Sequence, residues 1–154
     1  MKIIDLGANI AVEDRLVQEI EDYVQAGKTN QYASKLMRTT LKSTTYGSSS
    51  ITGVAVVEED GLLAQFSREE VGTEKVRGIW DENEQDEIIS LFQEMKQHNE
   101  TGLLPRYIIV NGANEHLNVS GRGVLHIAFP IKNGYNYKHM KYMIIVSYYS
   151  QSIS

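Results

Sequence analysis

The sequence contains no cysteine and only two prolines. The missing cysteines exclude disulfides, thiolate zinc sites and cysteine nucleophiles, and the scarcity of proline argues against long disordered linkers. No apolar run approaches the roughly 18 residues of a transmembrane helix, and the apolar run at the start is too short for a signal peptide. Basic residues are outnumbered 15 to 20, and the net charge of −5 argues against nucleic acid as a partner, because phosphate binding needs a basic surface.

The composition that remains is typical of one globular domain. The chain has 154 residues, of which 42% are hydrophobic and 23% are charged, and both the length and the balance are ordinary for a single domain. We therefore expect one domain over residues 1–154, with a helical region over 1–50 and a sheet core over 51–154.

The N-terminal third has helical periodicity from Asn9 to Thr45. Its apolar residues recur at spacings of three and four, which places them on one stripe of a helix: Val12, Leu16, Val17, Ile20, Tyr23 and Val24, then Tyr32, Ala33, Leu36, Met37 and Leu41. Gly27 lies between the two sets and is unfavourable inside a helix. The pattern predicts either two helices or one long helix kinked near Gly27.

The middle of the chain predicts a hairpin followed by a helix. Strands are expected over 51–57 and 62–67, because Asp60-Gly61 between two apolar runs is a hairpin signal. A polar surface loop follows over 68–78. The next helix begins at Asp81, which forms a capping box with Glu84, and its apolar face comprises Ile88, Ile89, Leu91, Phe92 and Met95.

The last third is rich in strands. We expect strands over 106–111, 124–131 and 142–149, and a short one near 116–119. No βαβ repetition is present, which argues against a doubly wound parallel sheet. The predicted fold class is α+β, with a long N-terminal helix or kinked helix pair packed on a mostly antiparallel sheet of five to six strands with one connecting helix.

No catalytic motif is recognisable, and we expect no enzymatic activity, cofactor or metal. His126 alternates with apolar residues in its strand, so it is either a hydrogen-bonded, half-buried histidine or a polar group that lines a pocket. Trp80 stands just before a helix, where it either closes the helix start as a hydrophobic staple or forms a pocket wall with Arg77 beside it. The sequence leaves both pairs of alternatives open.

The layout resembles that of Cache domains, which are PAS-like extracytoplasmic sensors. The resemblance rests on the helical N-terminus, the hairpin Gly-Val-Ala-Val-Val-Glu-Glu-Asp-Gly-Leu-Leu at 53–63, the connecting helix, and the segment Leu-His-Ile-Ala-Phe-Pro-Ile at 125–131. It implies the ligand-sensing domain of a membrane receptor, such as a sensor histidine kinase of a two-component system or a chemoreceptor. Arg77 and Trp80 differ in spacing from the pair in amino-acid-binding members with two units, so a single-unit sensor fits better and an amino-acid ligand is not implied.

The predicted ligand site lies on the sheet face opposite the first helix, under the loop from 68 to 80. We expect small-molecule binding by Arg68, Arg77, Trp80, Tyr107, Asn111 and His126. The arginines would pair with an anionic ligand, and the aromatic residues would form flat walls. Strand alternation places Tyr107 with Asn111 and Val124 with His126, but it does not show whether these two faces are the same.

The expected partners follow from the resemblance. Transmembrane helices would flank the domain in the parent protein, and the small molecule would bind on the extracytoplasmic side. The competing hypothesis is a cytoplasmic PAS-, profilin- or roadblock-like protein-interaction module. The N-terminal stripe predicts a parallel homodimer, with packing of the same stripe on the sheet as the alternative.

Overall fold

The computed structural model describes residues 2–11, 13–68, 79–100, 107–110, 123–131 and 140–150. Within these ranges the helices are α1 (Lys2–Ala11), α2 (Asp14–Gln25), α3 (Gln31–Tyr46) and α4 (Gln85–Glu100), the last preceded by a 3-10 turn (Glu82–Glu84). The strands are β1 (Ile51–Glu58), β2 (Gly61–Ser67), β3 (Ile108–Ile109), β4 (Val124–Ile131) and β5 (Tyr142–Tyr149). This composition confirms the predicted α+β class.

The five strands form one sheet in the order β2-β1-β5-β4-β3, and every neighbouring pair is antiparallel. Both faces of the sheet are covered. Helices α1, α2 and α3 pack on one face, called here the α1–α3 face, over a buried cluster that includes Leu16, Ile20, Met37, Leu41 and Phe129. Helix α4 packs on the other, called the α4 face, over a cluster that includes Ala55, Trp80, Phe92, Met95 and Ile145.

The N-terminal region consists of three short helices instead of one long helix. Helix α1 begins at Lys2, well before the predicted start at Asn9. The predicted break at Gly27 is confirmed: Gly27 and Lys28 adopt positive φ angles of 77° and 64°, and their amides donate to the carbonyls of Val24 and Tyr23. This pattern is a Schellman motif, which ends a helix. Helix α3 then begins at Gln31, and the side chain of the preceding Asn30 accepts hydrogen bonds from the amides of residues 32 and 33.

The apolar stripe of these helices faces the sheet. Leu16, Ile20, Met37 and Leu41 are fully buried in the core. Packing against the sheet already removes the apolar area of these four residues from water, so they are not available to a dimer surface, and a homodimer through the N-terminal region stays a prediction. Of the residues in the stripe, Tyr32 is 72% exposed and Leu36 is 38% exposed.

The hairpin and the α4 start are confirmed. Strands β1 and β2 pair around a turn at Glu59 and Asp60. Asp81 Oδ1 accepts from Asn83 N at 2.9 Å, and Glu84 Oε1 accepts from Asp81 N at 3.2 Å, which completes the capping box. The strand expected over 106–111 is limited to Ile108–Ile109 in the described residues, and the one near 116–119 lies outside them. No helix in the described ranges is long and apolar enough to cross a membrane.

Candidate functional site

Four of the six predicted ligand residues lie in the described part of the chain, and they do not converge. Arg77 and Asn111 lie outside the described residues. Trp80 and His126 meet on the α4 face. Tyr107 packs on the α1–α3 face, and Arg68 is held by the segment that ends α3.

Trp80 and His126 belong to a row of residues that crosses the sheet. Gly53 of β1 pairs with Ser67 of β2 and with Ser147 of β5, and Ser147 pairs with His126 of β4. Directly paired residues of antiparallel strands project from the same face, so Ser67, Ser147 and His126 all project toward the α4 side. The sheet therefore carries a polar row within an apolar face.

Hydrogen bonds hold His126 in this row and Trp80 beside it. His126 Nδ1 and Ser147 Oγ are 2.7 Å apart, and the His126 ring lies 4.5 Å from the Trp80 ring, centroid to centroid, with a tilt of 48°. The side-chain amide of Gln65 forms two hydrogen bonds with the Trp80 backbone. It donates to the carbonyl at 2.7 Å and accepts from the amide at 3.1 Å. Trp80 thus contacts both Gln65 of β2 and His126 of β4.

Burial decides the role of this cluster. Trp80 and His126 are each 4% exposed, and Ser147 is 1% exposed. A serine hydroxyl beside an imidazole can act as a nucleophile, but at this burial a substrate does not reach it. The structure therefore shows the hydrogen-bonded, buried histidine and a tryptophan packed in the core beside the start of α4.

Tyr107 and His126 lie on opposite faces of the sheet. Ile108 pairs with Ala128, and Ile109 with Ile127, so residue 107 stands opposite Phe129, whose ring is 6.5 Å from that of Tyr107. The pocket expected between Tyr107 and His126 is therefore wrong in its geometry. Strand alternation alone leaves this open, because the register between two strands is not encoded in either one.

Arg68 has a structural role in the described fold. Its guanidinium donates to the carbonyls of Thr45 and Ser48, both at 2.7 Å, and to that of Ile51 at 3.1 Å. It also lies over the Tyr46 ring, 4.9 Å from the centroid. Carbonyls at the end of a helix lack intrahelical partners. Arg68 donates hydrogen bonds to such carbonyls and so connects the end of α3 to the sheet.

A groove of about 520 Å³ opens on the other side of the molecule, between α2, α3 and the edge strand β2. Phe66 of β2 and Tyr23 of α2 contribute its apolar surface. Most of its lining is polar and comes from the α2–α3 turn and from one side of α3: Lys28, Thr29, Asn30, Gln31, Ser34, Lys35, Arg38, Thr39 and Lys42.

The charge of this groove has one sign. Its lining includes four basic residues and no acidic one. Lys28 is paired with Glu58, and Asp60 lies 3.8 Å from its Nζ; the hydrogen bond with Glu58 raises the pKa of the Lys28 ammonium above its usual value. The ion pairs of the described residues leave Lys35 and Lys42 without a carboxylate partner. The groove is therefore a cationic surface on an acidic chain.

Sequence reasoning missed this groove because its walls come from distant segments. Phe66 is separated from Lys42 by a whole strand and a loop, and polar residues on one side of α3 are also what any solvent-exposed helix face carries. A signal was present: α3 contains three basic residues and no acidic residue.

Among the described residues, no group of three histidine, aspartate or glutamate side chains could hold a metal ion. No protein-family model matches the chain, and no curated protein matches its sequence. The geometry and charge of the groove are thus the features on which a function is inferred.

Proposed function

We propose that the chain is the extracytoplasmic ligand-sensing domain of a membrane signal-transduction receptor. A small molecule would bind in the groove between α2, α3 and β2, and the domain would relay its binding to flanking transmembrane helices. The observation that carries this proposal is the groove itself. Its volume of about 520 Å³ lies within the range of small-molecule sites, and it lies where the helical layer meets the edge of the sheet.

The packing of the first helix on the last strands supports a relay. Helix α1 contacts β4 and β5, and at Gly7 the approach is so close that an added Cβ would lie 2.3 Å from the Phe129 ring and 2.6 Å from the Tyr148 hydroxyl. The first and last elements are thus in direct contact. A movement of one relative to the other is a change that flanking helices would transmit.

A short path joins the groove to this contact. Helix α3 packs on α2 as well as on β1 and β2. Helix α2 follows α1 closely, and the Glu13 amide donates to the Ile10 carbonyl at 3.2 Å. A ligand that draws α3 toward β2 would move α2, and α2 would move α1 against the sheet.

The second candidate is the cytoplasmic protein-interaction module. The observation in its favour is the exposed aromatic and aliphatic pair on α3, because Tyr32 is 72% exposed and Leu36, one turn on, is 38% exposed. Exposed apolar pairs on a helix are a common feature of contact surfaces. A homodimer through the N-terminal region stays a prediction, and Tyr32 and Leu36, the exposed members of the stripe, would form its surface.

Membrane topology separates the two candidates. The chain has no cysteine, so Glu59→Cys at the exposed hairpin turn introduces one thiol into the domain of the parent protein. We expect a membrane-impermeant maleimide to label this thiol in intact cells. Met143→Cys, at a position that is fully buried, is the matched control and should not react while the domain is folded. Labelling of Glu59→Cys only after lysis contradicts the sensor proposal and favours the cytoplasmic module.

A further inference from the structure

We infer that the groove between α2, α3 and β2 binds a small anion with at least two negative charges, recognised by Lys35, Arg38 and Lys42. This inference rests on the proposed sensing function and names the ligand class and the residues. The ligand would carry its charges as carboxylates or phosphates, since both are anions that lysine and arginine bind through charge-assisted hydrogen bonds.

The first support is the charge of α3. In 16 residues the helix has three basic side chains and no acidic one, although the whole chain has a net charge of −5. Lys35, Arg38 and Lys42 lie three and four residues apart, on the groove side. Like charges at these spacings repel and destabilise a helix by a few tenths of a kcal/mol per pair, and a bound anion would remove this cost.

The second support is that the neighbouring helix does not neutralise Lys35 and Lys42. Three of the four acidic residues of α2 bind other groups: Glu19 binds Arg15 and Thr40, Asp22 accepts from Gln18, and Glu21 accepts from Tyr142 and lies 3.8 Å from Lys141. Lys35 and Lys42 form no ion pair with the described acidic side chains of α2.

The third support is the match between the spacing of the cations and a small dianion. Lys35 and Lys42 are seven residues apart on α3, which corresponds to about 10 Å along the helix, with Arg38 between them. Long lysine side chains converge over such a distance, so two anionic groups a few ångströms apart are reached at once. Tyr23 and Phe66 contribute an apolar surface beside the charges.

The surroundings favour a small anion over a membrane surface. Glu58 and Asp60 stand beside Lys28, which lines the groove, and the hairpin turn adds the exposed Glu59. A flat anionic bilayer would meet these carboxylates together with the lysines, whereas a small molecule enters the groove and meets a lining that has basic residues and no acidic one.

The test is a calorimetric titration of the chain at low ionic strength with pyrophosphate and with citrate, and with glucose as the uncharged probe. We expect at least one of the two anions to bind and glucose not to bind. The variant Lys35→Gln/Lys42→Gln should weaken that binding about tenfold or more, because two charge-assisted contacts are lost. The control variant Lys96→Gln/Lys141→Gln removes the same charge from residues outside the groove and should change the affinity less than about twofold, since distant charges are screened.

Each outcome bears on the inference. Pyrophosphate binding alone identifies a phosphate-type ligand, and citrate binding alone identifies a carboxylate-type ligand. The inference is overturned if neither anion binds, if both double variants lose affinity equally, or if the chain binds phosphatidylserine vesicles and neither small anion. Glutamine has nearly the helix propensity of lysine, so unfolding measurements should show Lys35→Gln/Lys42→Gln as stable as the wild type or slightly more stable.

These results are independent of the membrane test. An extracytoplasmic Glu59→Cys thiol with no anion binding would leave the sensing function standing and remove the groove assignment. Anion binding that depends on Lys35 and Lys42, in a domain whose thiol is cytoplasmic, would support the groove as the anion site and contradict the proposed membrane receptor.

Discussion

Gly7 shows how one residue sets the distance between a helix and the sheet. It lies in α1, where glycine costs about 1 kcal/mol relative to alanine, and a Cβ at this position would lie 2.3 Å from Phe129 and 2.6 Å from Tyr148. Both of these side chains are buried, so neither can move aside easily. The close approach of α1 to β4 and β5 therefore depends on the absence of a side chain here.

We predict that Gly7→Ala destabilises the protein despite its gain in helix propensity. Overpacking in a well-packed core costs about 1–3 kcal/mol, which exceeds the gain of about 1 kcal/mol. Urea unfolding followed by circular dichroism measures the difference. Asn9→Ala, at an exposed position of the same helix, should leave stability unchanged or slightly higher. A Gly7→Ala variant as stable as the wild type would show that α1 does not pack as described.

At the scale of elements, local sequence signals predict what is held by local contacts. The capping box at Asp81, the hairpin at Asp60-Gly61 and the break at Gly27 could all be predicted because each depends on residues within a few positions. Helix α1 was not predicted, since its ten residues include Gly7 and an apolar content that fits a buried segment of either kind.

The candidate site depended on distant pairings, and these were not predictable. Tyr107 and His126 separated onto two faces because of the β3–β4 register. The groove exists because β2 packs against α3 and places Phe66 beside it. Neither the β3–β4 register nor the packing of α3 on β2 can be predicted from the residues near it, because sheet register and helix packing depend on the whole core.

The turn between α2 and α3 gives a prediction at this scale. Gly27 has a φ of +77° and no atom within 4 Å of an added Cβ, so Gly27→Ala meets no collision and its cost is that of the left-handed backbone, about 1–2 kcal/mol. Gly47 follows α3 with a φ of −70°, and Gly47→Ala should be close to neutral. Thermal unfolding of the two variants side by side tests this, and equal melting temperatures would contradict the Schellman geometry.

At the scale of the whole molecule, the described residues form a helical layer, a sheet and one helix on the far side, and β5 runs through the middle of the sheet. Two tyrosines of this central strand face α1 and α2. Burial raises the pKa of Tyr148 above its usual value, although a hydrogen bond with the Gly7 backbone acts in the opposite direction. Burial also raises the pKa of Tyr142, and the nearby Glu21 carboxylate adds to it. Both phenols therefore stay protonated in the folded state at a pH where a free tyrosine ionises.

These shifts predict the response of global stability to alkali. A tyrosine in the unfolded chain titrates at about pH 10. Below that pH the folded and the unfolded states both hold the phenol proton, and the two tyrosines make a constant contribution to stability. Above it the unfolded state releases protons that the folded state keeps, and the free energy of unfolding falls as pH rises. We expect the urea midpoint to be flat from about pH 7 to 9 and to decline beyond about pH 10.

The urea midpoint of Tyr142→Phe/Tyr148→Phe should decline less steeply, because the phenols are gone. Tyr32→Phe, at a position that is 72% exposed, should decline like the wild type. Equal alkaline slopes for the double variant and the wild type would show that Tyr142 and Tyr148 are not held protonated by burial against α1 and α2.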